Sequence, residues 1–202
     1  MTGPDSPQAP LTTQSHALRT GQPSYSLTNR CTRAVWIIIW WTLARWTPRQ
    51  WRPWRAFLLR CFGANMAHGA DVRGSARVWL PAHLSMGIHS LLGPHVNCYN
   101  QGPVSIGDFV VVSQGAYLCT GTHDYESEQF QLITRPIVIG AHCWLAAQTF
   151  VGPGTTLEDG VVLGACAVAN GHYAAWQVYG GNPARPIKSR RRLNNSTLTV
   201  HA

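Results

Sequence analysis

His123 is the residue whose surroundings point most directly to chemistry. It lies in L-C-T-G-T-H-D at Leu118–Asp124, at the start of a segment that lacks the regularity of its neighbours. Histidine side chains titrate near neutral pH, so a positioned imidazole can accept the proton of a hydroxyl group as that group attacks an electrophile. The adjacent Asp124 could orient the ring, contact a substrate or cap the root of a loop.

Cys119 offers a second chemistry, because a cysteine close to a histidine can act as a covalent nucleophile. The cysteines include no C-x-x-C pair, so the zinc-knuckle pattern is missing from the sequence. Several of them occupy positions of the repeat described next, where cysteine acts as a small hydrophobic residue. A reducing cytoplasm is the simplest compartment for six cysteines at such positions.

A six-residue repeat runs through the second half of the chain. An aliphatic residue occurs at every sixth position: Ile139, Leu145, Val151, Leu157 and Leu163, with Ala169 next. We call these the repeat residues. Four positions after them stand small or β-branched residues: Cys143, Thr149, Thr155, Val161 and Ala167. An α-helix repeats every 3.6 residues and a flat strand every two, so neither explains this period. The period fits a parallel β-helix whose interior holds the repeat residues, with Gly140, Gly152 and Gly164 allowing sharp corners.

The same repeat extends upstream with two slips of frame. Its repeat residues there are Met66, Val72, Val78, Leu84, Met86, Leu92, Cys98, Val104, Ile106, Val112 and Leu118. With about eighteen residues in a three-faced coil, the stretch from Met66 to Ala169 predicts about five coils. Segment 124–136 lacks the repeat and carries three acidic residues, which predicts an extruded loop of functional importance or a tolerated surface insertion.

The charge of the chain is uneven. Charged residues make up only 12% of the sequence and the net charge is +8, with arginines concentrated at 45–60 and 185–192. No nucleic-acid-binding motif accompanies these clusters, so we expect an anionic ligand or an anionic membrane surface and no nucleic acid as partner. Residues 1–30 are polar, show no signal peptide and predict a disordered tail.

A Trp-rich segment precedes the repeat. Residues 34–44 are apolar apart from one threonine, which is too short a stretch to span a bilayer. Residues 45–63 alternate tryptophan or leucine with arginine around proline breaks, which predicts two helices forming a cap over 31–64 on the open end of the β-helix. Tryptophan and arginine together also favour a membrane interface, so peripheral membrane contact stays open as an addition.

Three segments together resemble the hexapeptide-repeat acyltransferases. They are L-C-T-G-T-H-D at Leu118–Asp124, I-V-I-G-A-H-C-W-L-A at Ile137–Ala146 and Y-G-G-N-P-A-R-P-I-K at Tyr179–Lys188. Within that superfamily the chain is similar to colanic-acid-type O-acetyltransferases of bacterial polysaccharide clusters, a likeness that W-R-A-F-L-L-R-C-F-G-A at Trp54–Ala64 supports. Galactoside and maltose acetyltransferases resemble it less. The resemblance covers about residues 51–190.

The resemblance implies a fold class and an assembly. The expected fold is an all-β solenoid, a left-handed parallel β-helix over 65–190 with loop 124–136 extruded, a short C-terminal segment and a tail over 191–202. The six-residue period alone does not give the handedness. The assembly implied is a homotrimer with active sites in the clefts between subunits, where the extruded loop of one subunit reaches over its neighbour.

The resemblance also implies an activity. The expected enzyme is an O-acetyltransferase that uses acetyl-CoA as donor and a sugar or polysaccharide precursor as acceptor, in the cytoplasm or peripherally on the inner face of the membrane. His123 matches the family's catalytic histidine, with Asp124 beside it. Asn97 aligns with an asparagine that contacts the acceptor, although Asn100 could compete and either could serve a left-handed corner instead. Trp144 matches a cleft tryptophan suited to a sugar face or the pantetheine arm, with interface packing as the alternative.

Coenzyme A is expected to bind through backbone groups and cations. The resemblance assigns it to Ala147, Gly164, Ala165, Arg185 and Lys188. The backbone amides around Ala146 and Ala147 match a site near the thioester carbonyl and could stabilise the oxyanion. Asn170 stands where relatives often carry a threonine, so that contact is not transferred to this chain.

Three alternatives remain beside this prediction. Histidines 83, 89, 95, 142 and 172 bring to mind the zinc sites of β-helix proteins that resemble γ-class carbonic anhydrases, but their spacing differs and we expect no metal. A non-catalytic trimeric scaffold at the membrane would account for the Trp-rich segment. An acetyltransferase for an antibiotic or another small molecule would keep the enzyme and change the acceptor.

Overall fold

The computed structural model describes residues 11–12 and 25–192, and within them a parallel β-helix follows a pair of helices. Helix α1 spans Leu27–Ile39 and continues as a π-helix over Trp40–Ala44, and α2 spans Arg52–Cys61 after a 3₁₀ turn at Arg49–Trp51. A second 3₁₀ turn spans Pro81–His83. Most of the predicted tail 1–30, and positions 193–202 of the predicted C-terminal tail, lie outside the described residues.

Three parallel sheets form the faces of the β-helix. Face 1 consists of β2 (Asn65–Met66), β5 (Leu84–Met86), β8 (Val104–Ile106), β13 (Ile137–Ile139), β16 (Thr156–Leu157) and β19 (His172–Tyr173). Face 2 consists of β3 (Asp71–Val72), β6 (Leu91–Leu92), β9 (Val111–Val112), β14 (Trp144–Leu145), β17 (Val162–Leu163), β20 (Gln177–Gly180) and the antiparallel β21 (Arg185–Ser189). Face 3 consists of β4 (Arg77–Val78), β7 (Asn97–Tyr99), β10 (Tyr117–Cys119), β15 (Phe150–Val151) and β18 (Val168–Ala169).

The interior of the β-helix is built as the repeat predicts. Every repeat residue from Met66 to Ala169 is buried, and so are the small residues that follow the downstream repeats, such as Thr149 and Ala167. The structure has about six coils, one more than predicted, because Tyr173 and Tyr179 continue the interior beyond Ala169. Both tyrosines are buried and their rings meet edge to face at 4.8 Å, so aromatic side chains replace the aliphatic repeat in the last coil.

The glycines that follow repeat residues serve a different purpose from the predicted one. Gly140 does not adopt a left-handed conformation, whereas the corner position His142 has φ 59°. A Cβ atom built on Gly140 would lie 2.7 Å from the backbone nitrogen of Asp159 on the next coil, closer than atoms can approach. The close stacking of coils therefore requires glycine at position 140. The left-handed corner conformation occurs at other positions, both in glycines such as Gly115 and Gly160 and in non-glycine residues such as His142.

The two helices cover the N-terminal end of the β-helix. The indole nitrogens of Trp36 and Trp40 donate hydrogen bonds to the carbonyls of Val78 at 2.8 Å and Ala76 at 3.0 Å. Arg55 is 1% exposed, and its guanidinium pairs with Asp71 at 3.0 Å and also donates to backbone carbonyls. The helical segment thus closes the core, and α1 begins at Leu27, before the predicted boundary at residue 31.

No helix among residues 25–192 is both long enough and apolar enough to cross a membrane. The cap nevertheless exposes large apolar side chains, including Ile38, Trp41, Trp46 and Trp51.

The irregular segment after β10 forms an extruded hairpin at the corner between face 3 and face 1. Strands β11 (Gly121–His123) and β12 (Leu132–Thr134) pair antiparallel, and β1 (Leu11–Thr12) pairs with the other edge of β12. The chain leaves the coil at the buried Thr120, so Thr122, which the repeat would place inside, is exposed. The hairpin carries its residues away from the core and towards solvent.

Candidate active site

The His123 side chain is exposed at the end of β11, with one ring nitrogen held by the hairpin. Its Nδ1 lies 2.9 Å from the carbonyl oxygen of Phe130, and its ring stacks on the Phe130 ring at 4.5 Å with 6° between the planes. A carbonyl oxygen only accepts hydrogen bonds, so in the neutral ring the proton sits on Nδ1. The Nε2 lone pair is then available to accept a proton from a substrate.

Asp124 makes the contacts of a loop cap. Its Oδ1 accepts from the backbone nitrogen of Glu126 at 3.3 Å, and its Oδ2 accepts from Nε2 of Gln131 at 3.0 Å. Its backbone nitrogen donates to the Gln131 carbonyl at 3.0 Å. The backbone carbonyl of Phe130, and not the Asp124 carboxylate, therefore orients the His123 ring in this structure.

The two candidate asparagines have separate surroundings. Asn100 is fully buried, where its Oδ1 accepts from the backbone nitrogens of Trp79 and Leu80 and its Nδ2 donates to the Leu80 carbonyl. These bonds satisfy a chain corner and leave Asn100 unable to reach a ligand. Asn97 points outward from β7, and its amide group has no hydrogen-bond partner in the described part of the chain, so it is available to an acceptor.

A cavity of about 450 Å³ lies between α1 and face 3. Its lining combines guanidinium groups, aromatic rings and the Asn97 amide: Arg33, Trp36, Ile37, Trp40, Trp41, Arg45, Ala76, Arg77, Val78, Trp79, Asn97, Tyr99 and Tyr117. Tyr117 belongs to β10, the strand that leads through Thr120 into the hairpin of His123. The cavity volume suits a ligand of sugar size.

Sequence reasoning missed every lining residue of this cavity except Asn97. A usable signal was present, because residues directly before and after a buried repeat residue point outward in a strand. Arg77 and Trp79 flank Val78, and Asn97 and Tyr99 flank Cys98 in this way. Arg33 of α1 and Arg45, which follows the π-helix, gave no such signal, since their approach to face 3 depends on how the cap packs.

Trp144 lies on face 2, away from the face that carries Asn97. It is 48% exposed, and its Nε1 donates to the Ser113 hydroxyl at 3.0 Å. A single chain therefore does not bring Trp144 and Asn97 together.

The expected cofactor residues lie along face 2 and its outgoing corner. The Ala146 nitrogen donates to the Leu163 carbonyl at 2.9 Å and is unavailable to a ligand. The nitrogens of Ala147 and Ala165 have no hydrogen-bond partner among residues 25–192, so both can donate to a ligand at this corner. Gly164 directly precedes Ala165, and its own nitrogen donates to the Tyr179 carbonyl.

The predicted basic surface divides into two parts. Arg185 and Lys188, on β21, are exposed and form no ion pair within the described ranges, so they are available to phosphate groups. Arg190 instead donates to the carbonyls of His142 at 2.7 Å and Gly160 at 2.9 Å and lies over the Trp176 ring. Arg190 therefore links the end of β21 to a corner of the β-helix by hydrogen bonds.

Cys119 and the remaining histidines do not assemble a second reactive centre. Partial burial raises the pKa of the Cys119 thiol, whose sulfur lies 3.3 Å from the Gly121 carbonyl, so the nucleophilic thiolate is disfavoured. In the part of the chain that the structure describes, no three His, Cys, Asp or Glu side chains are grouped so as to hold a metal ion. His83 contacts the Asn100 carbonyl at 3.3 Å and His172 contacts Glu158 at 3.0 Å.

Comparison with known proteins identifies relatives over most of the chain. No family model matches it. It is 42% identical over 161 residues to a protein of Escherichia coli (strain K12) named provisionally as a colanic acid biosynthesis acetyltransferase, WcaF, covering 78% of this chain and 88% of that protein. It is 32% identical over 152 residues to nodulation protein L of Rhizobium leguminosarum bv. viciae, covering 71% of this chain and 76% of the relative.

Solved structures share the fold at low identity. A hexapeptide-repeat acetyltransferase of Vibrio cholerae O1 biovar eltor, solved with acetyl coenzyme A, has a TM-score of 0.74 and 22% identity, covering 87% of this chain and 97% of that one. A galactoside acetyltransferase solved with coenzyme A has a TM-score of 0.75 and 19% identity, covering 86% and 89%. The expected left-handed parallel β-helix is confirmed.

Proposed function

The chain belongs to the hexapeptide-repeat acetyltransferases, and from this membership we propose that it transfers an acetyl group from acetyl-CoA to a hydroxyl of a sugar or polysaccharide precursor. The observation that carries the proposal is His123, an exposed imidazole whose Nδ1 is bound to a carbonyl so that Nε2 is available as a base. The cavity between α1 and face 3, whose lining includes Tyr117 of the strand that leads to the hairpin, supplies aromatic and amide groups suited to a sugar.

The reaction begins with the acceptor hydroxyl. As its oxygen attacks the thioester carbonyl carbon, its proton passes to Nε2 of His123. The proton on Nδ1 stays in the bond to the Phe130 carbonyl, which helps to hold the ring in place while it becomes an imidazolium. A positioned base of this kind accelerates transfer by about 10²- to 10⁴-fold.

The attack leaves a negative charge on the former carbonyl oxygen. The Ala147 nitrogen, which has no partner within residues 25–192, donates to this oxyanion. The tetrahedral intermediate then expels the thiolate of coenzyme A, which recovers the proton from the imidazolium. Arg185 and Lys188 bind the phosphates of the donor, and the backbone at Gly164 and Ala165 lies along its pantetheine arm.

The division of the site between faces supports a homotrimer. Asn97 and His123 border face 3, whereas Trp144, Ala147 and the basic strand β21 lie on face 2 or its corner. Two copies of the chain that bring face 3 of one against face 2 of the other would complete a site. Asn97 then contacts the acceptor, and Trp144 packs on its ring or on the pantetheine arm.

The test is an acetyl-transfer assay with the purified protein, acetyl-CoA and a panel of sugars, measuring the free thiol released. We expect acceptor-dependent thiol release and a new acetyl ester in the product by mass spectrometry. A protein that gains no thermal stability from millimolar acetyl-CoA and releases no thiol with any sugar would contradict the proposal.

The cap supports a peripheral membrane location in addition. Trp46 is 73% exposed and Ile38 is 62% exposed on a helical segment, 27–61, that has seven arginines and no acidic residue. Exposed indole rings beside arginines suit the interface of an anionic bilayer on the cytoplasmic side. Flotation with phosphatidylglycerol vesicles should carry the protein upward, and Trp46→Ser should weaken flotation; an equal distribution with and without vesicles would exclude this location.

A further inference from the structure

Three guanidinium groups surround the cavity between α1 and face 3. Arg33 and Arg45 come from the cap, and Arg77 comes from β4, whose strand neighbour carries Asn97. Among the described residues, no acidic side chain lines the cavity, and the sequence 27–61 contains none. A pocket with this charge attracts an anion and repels a cation.

The three arginines have no carboxylate partner among the residues that the structure describes. Within the described ranges, ion pairs form at Asp71 and at Glu158, and none involves Arg33, Arg45 or Arg77. Arg33 rests over the Trp79 ring at 4.2 Å, and Arg45 rests over the Trp41 ring at 4.5 Å. Stacking on an indole fixes the plane of a guanidinium and leaves its N–H groups free for an anion.

The cavity arginines contrast with the cap arginines whose side chains bond to the fold. Arg60 donates to the Met66 carbonyl at 2.7 Å. Arg55 is buried, pairs with Asp71 and donates to the carbonyls of Val72 and Pro48. Within residues 25–192, the cavity arginines make no equivalent side-chain hydrogen bonds to the fold, apart from one between Arg33 Nε and Asn29 at 3.0 Å. Their remaining N–H groups are therefore available to donate hydrogen bonds to a ligand.

The floor of the cavity suits a sugar ring. Trp79, Tyr99 and Tyr117 line the face 3 side of the cavity, with ring centroids 6.0 Å and 6.3 Å apart and successive ring planes inclined at 72° and 53°. We call this row of tilted rings the aromatic floor. An aromatic ring offers a flat apolar surface to the face of a pyranose ring. Arg33 already covers the Trp79 ring, so Tyr99 and Tyr117 supply this surface, and Asn97 lines the same cavity with an amide. The floor and the arginines together recognise a sugar that also bears negative charge.

We propose, on the basis of the proposed function, that the acceptor is an anionic sugar whose carboxylate or phosphate is bound by Arg33, Arg45 and Arg77. The sugar ring lies on the aromatic floor beside Asn97, and its charged group lies towards α1. These arginines determine acceptor specificity and take no part in proton transfer. Neutral sugars then occupy the same floor without the charge-assisted hydrogen bonds.

The test compares three probes that share one ring: methyl β-glucopyranoside, methyl β-glucuronide and glucose 1-phosphate. We expect kcat/KM for at least one charged probe to exceed that for the neutral glycoside by about tenfold. The difference between the two charged probes tells a carboxylate from a phosphate. Equal kcat/KM for all three, or preference for the neutral glycoside, would overturn the proposal.

Arg77→Ala and Arg52→Ala form the matched pair of variants. Both arginines are exposed, and Arg52 does not line the cavity. We expect Arg77→Ala to lower kcat/KM for the preferred charged probe about tenfold and to leave the neutral glycoside within twofold. Arg52→Ala should change neither. Equal losses with charged and neutral probes in Arg77→Ala would contradict charge recognition.

A binding measurement separates this proposal from the proposed function. If no probe is acetylated, the proposed function fails, and quenching of tryptophan fluorescence by glucose 1-phosphate and methyl β-glucuronide still reports on the cavity through Trp79 and Trp41. Saturable, salt-sensitive quenching that Arg77→Ala weakens about tenfold would support the anion site. Lack of quenching by both charged probes would overturn it.

Discussion

Two histidines of this protein each stack face to face on a phenylalanine ring, in regions with different purposes. His123 stacks on Phe130 at 4.5 Å, and His142 stacks on Phe109 at 5.2 Å, both with 6° between the planes. The His123 ring also has Nδ1 bound to a carbonyl, whereas the His142 ring has no hydrogen bond within residues 25–192. Stacking is therefore common to both histidines, and the proposed role of His123 depends on its fixed tautomer and exposed position.

The surroundings explain the difference. His142 belongs to a column of rings at the corner between faces 1 and 2, made of His68, His89, Phe109, His142 and Trp176. Four of these residues have positive φ, a conformation that costs about 1 kcal/mol for a non-glycine residue. Stacking contributes about 0.5–1.5 kcal/mol per pair and offsets that cost. His123 instead stands on the hairpin, outside any such column.

We expect the largest effect from His123→Ala, which tests whether the two stacked histidines differ in their contribution to catalysis. We expect the rate of acetyl transfer to fall about 10²- to 10⁴-fold with little change in thermal stability, because the base is lost from an exposed position. The control is His142→Ala, which should keep its rate and lose about 1 kcal/mol in the free energy of unfolding. The transfer rate and the melting temperature of both variants test this prediction. A His123→Ala enzyme with the wild-type rate would refute the assignment of His123 as the base.

The asparagines offer the next largest contrast. Asn100→Ala should lower the free energy of unfolding by about 2–4 kcal/mol, since it leaves the buried N–H groups of Trp79 and Leu80 unpaired. Asn97→Ala should keep its stability and raise the KM for the acceptor about three- to tenfold. Urea unfolding and steady-state kinetics separate the two, and destabilisation by Asn97→Ala would contradict its assignment to the acceptor.

Phe130→Ala sharpens the comparison by removing the stacked ring while the carbonyl that orients His123 remains. We expect the transfer rate to fall about two- to tenfold, a loss that corresponds to one aromatic pair. Phe109→Ala, the counterpart at the other corner, should lower the melting temperature and keep the rate. A loss in Phe130→Ala as large as that in His123→Ala would mean that the ring, and not the carbonyl, positions the base.

Cys119→Ser should have the smallest effect. Burial raises the pKa of this thiol, and direct transfer needs no covalent intermediate, so the rate should stay within about twofold. The exposed Cys31, Cys61 and Cys166 should react with iodoacetamide before Cys119 does. A rate loss of 10²-fold or more in Cys119→Ser, with trapped acetyl on Cys119 in the wild type, would favour the covalent route.

The predictable part of the molecule is the part that depends on local spacing. The repeat from Met66 to Ala169 predicted the buried interior, because a residue inside a coil must be small or aliphatic whatever its distant neighbours are. The motif at the break in that repeat predicted His123 as the base, and that role stays a prediction. The loop was located by the same break, although its antiparallel pairing was not predicted.

The remainder depends on contacts between distant segments. The sequence favoured Asn97 for the acceptor but left Asn100 as a competitor, and the hydrogen bonds of Asn100 show that its side chain is used by the fold. The cavity was not predicted because Arg33 and Arg45 reach face 3 only through the packing of Trp36 and Trp40 against β4. The prediction that Gly140 permits a sharp corner was wrong. Gly140 has no room for a side chain because the next coil lies close to it, and no local sequence pattern reveals the spacing between coils.

The most direct test of the account is a crystal structure of the protein with coenzyme A and an acetylated or intact acceptor. The account predicts that the acceptor hydroxyl oxygen lies about 2.6–3.2 Å from Nε2 of His123, or one water molecule away, with Nδ1 still bonded to the Phe130 carbonyl. An acceptor hydroxyl held by another base, with the His123 ring turned away from it, would contradict the central claim.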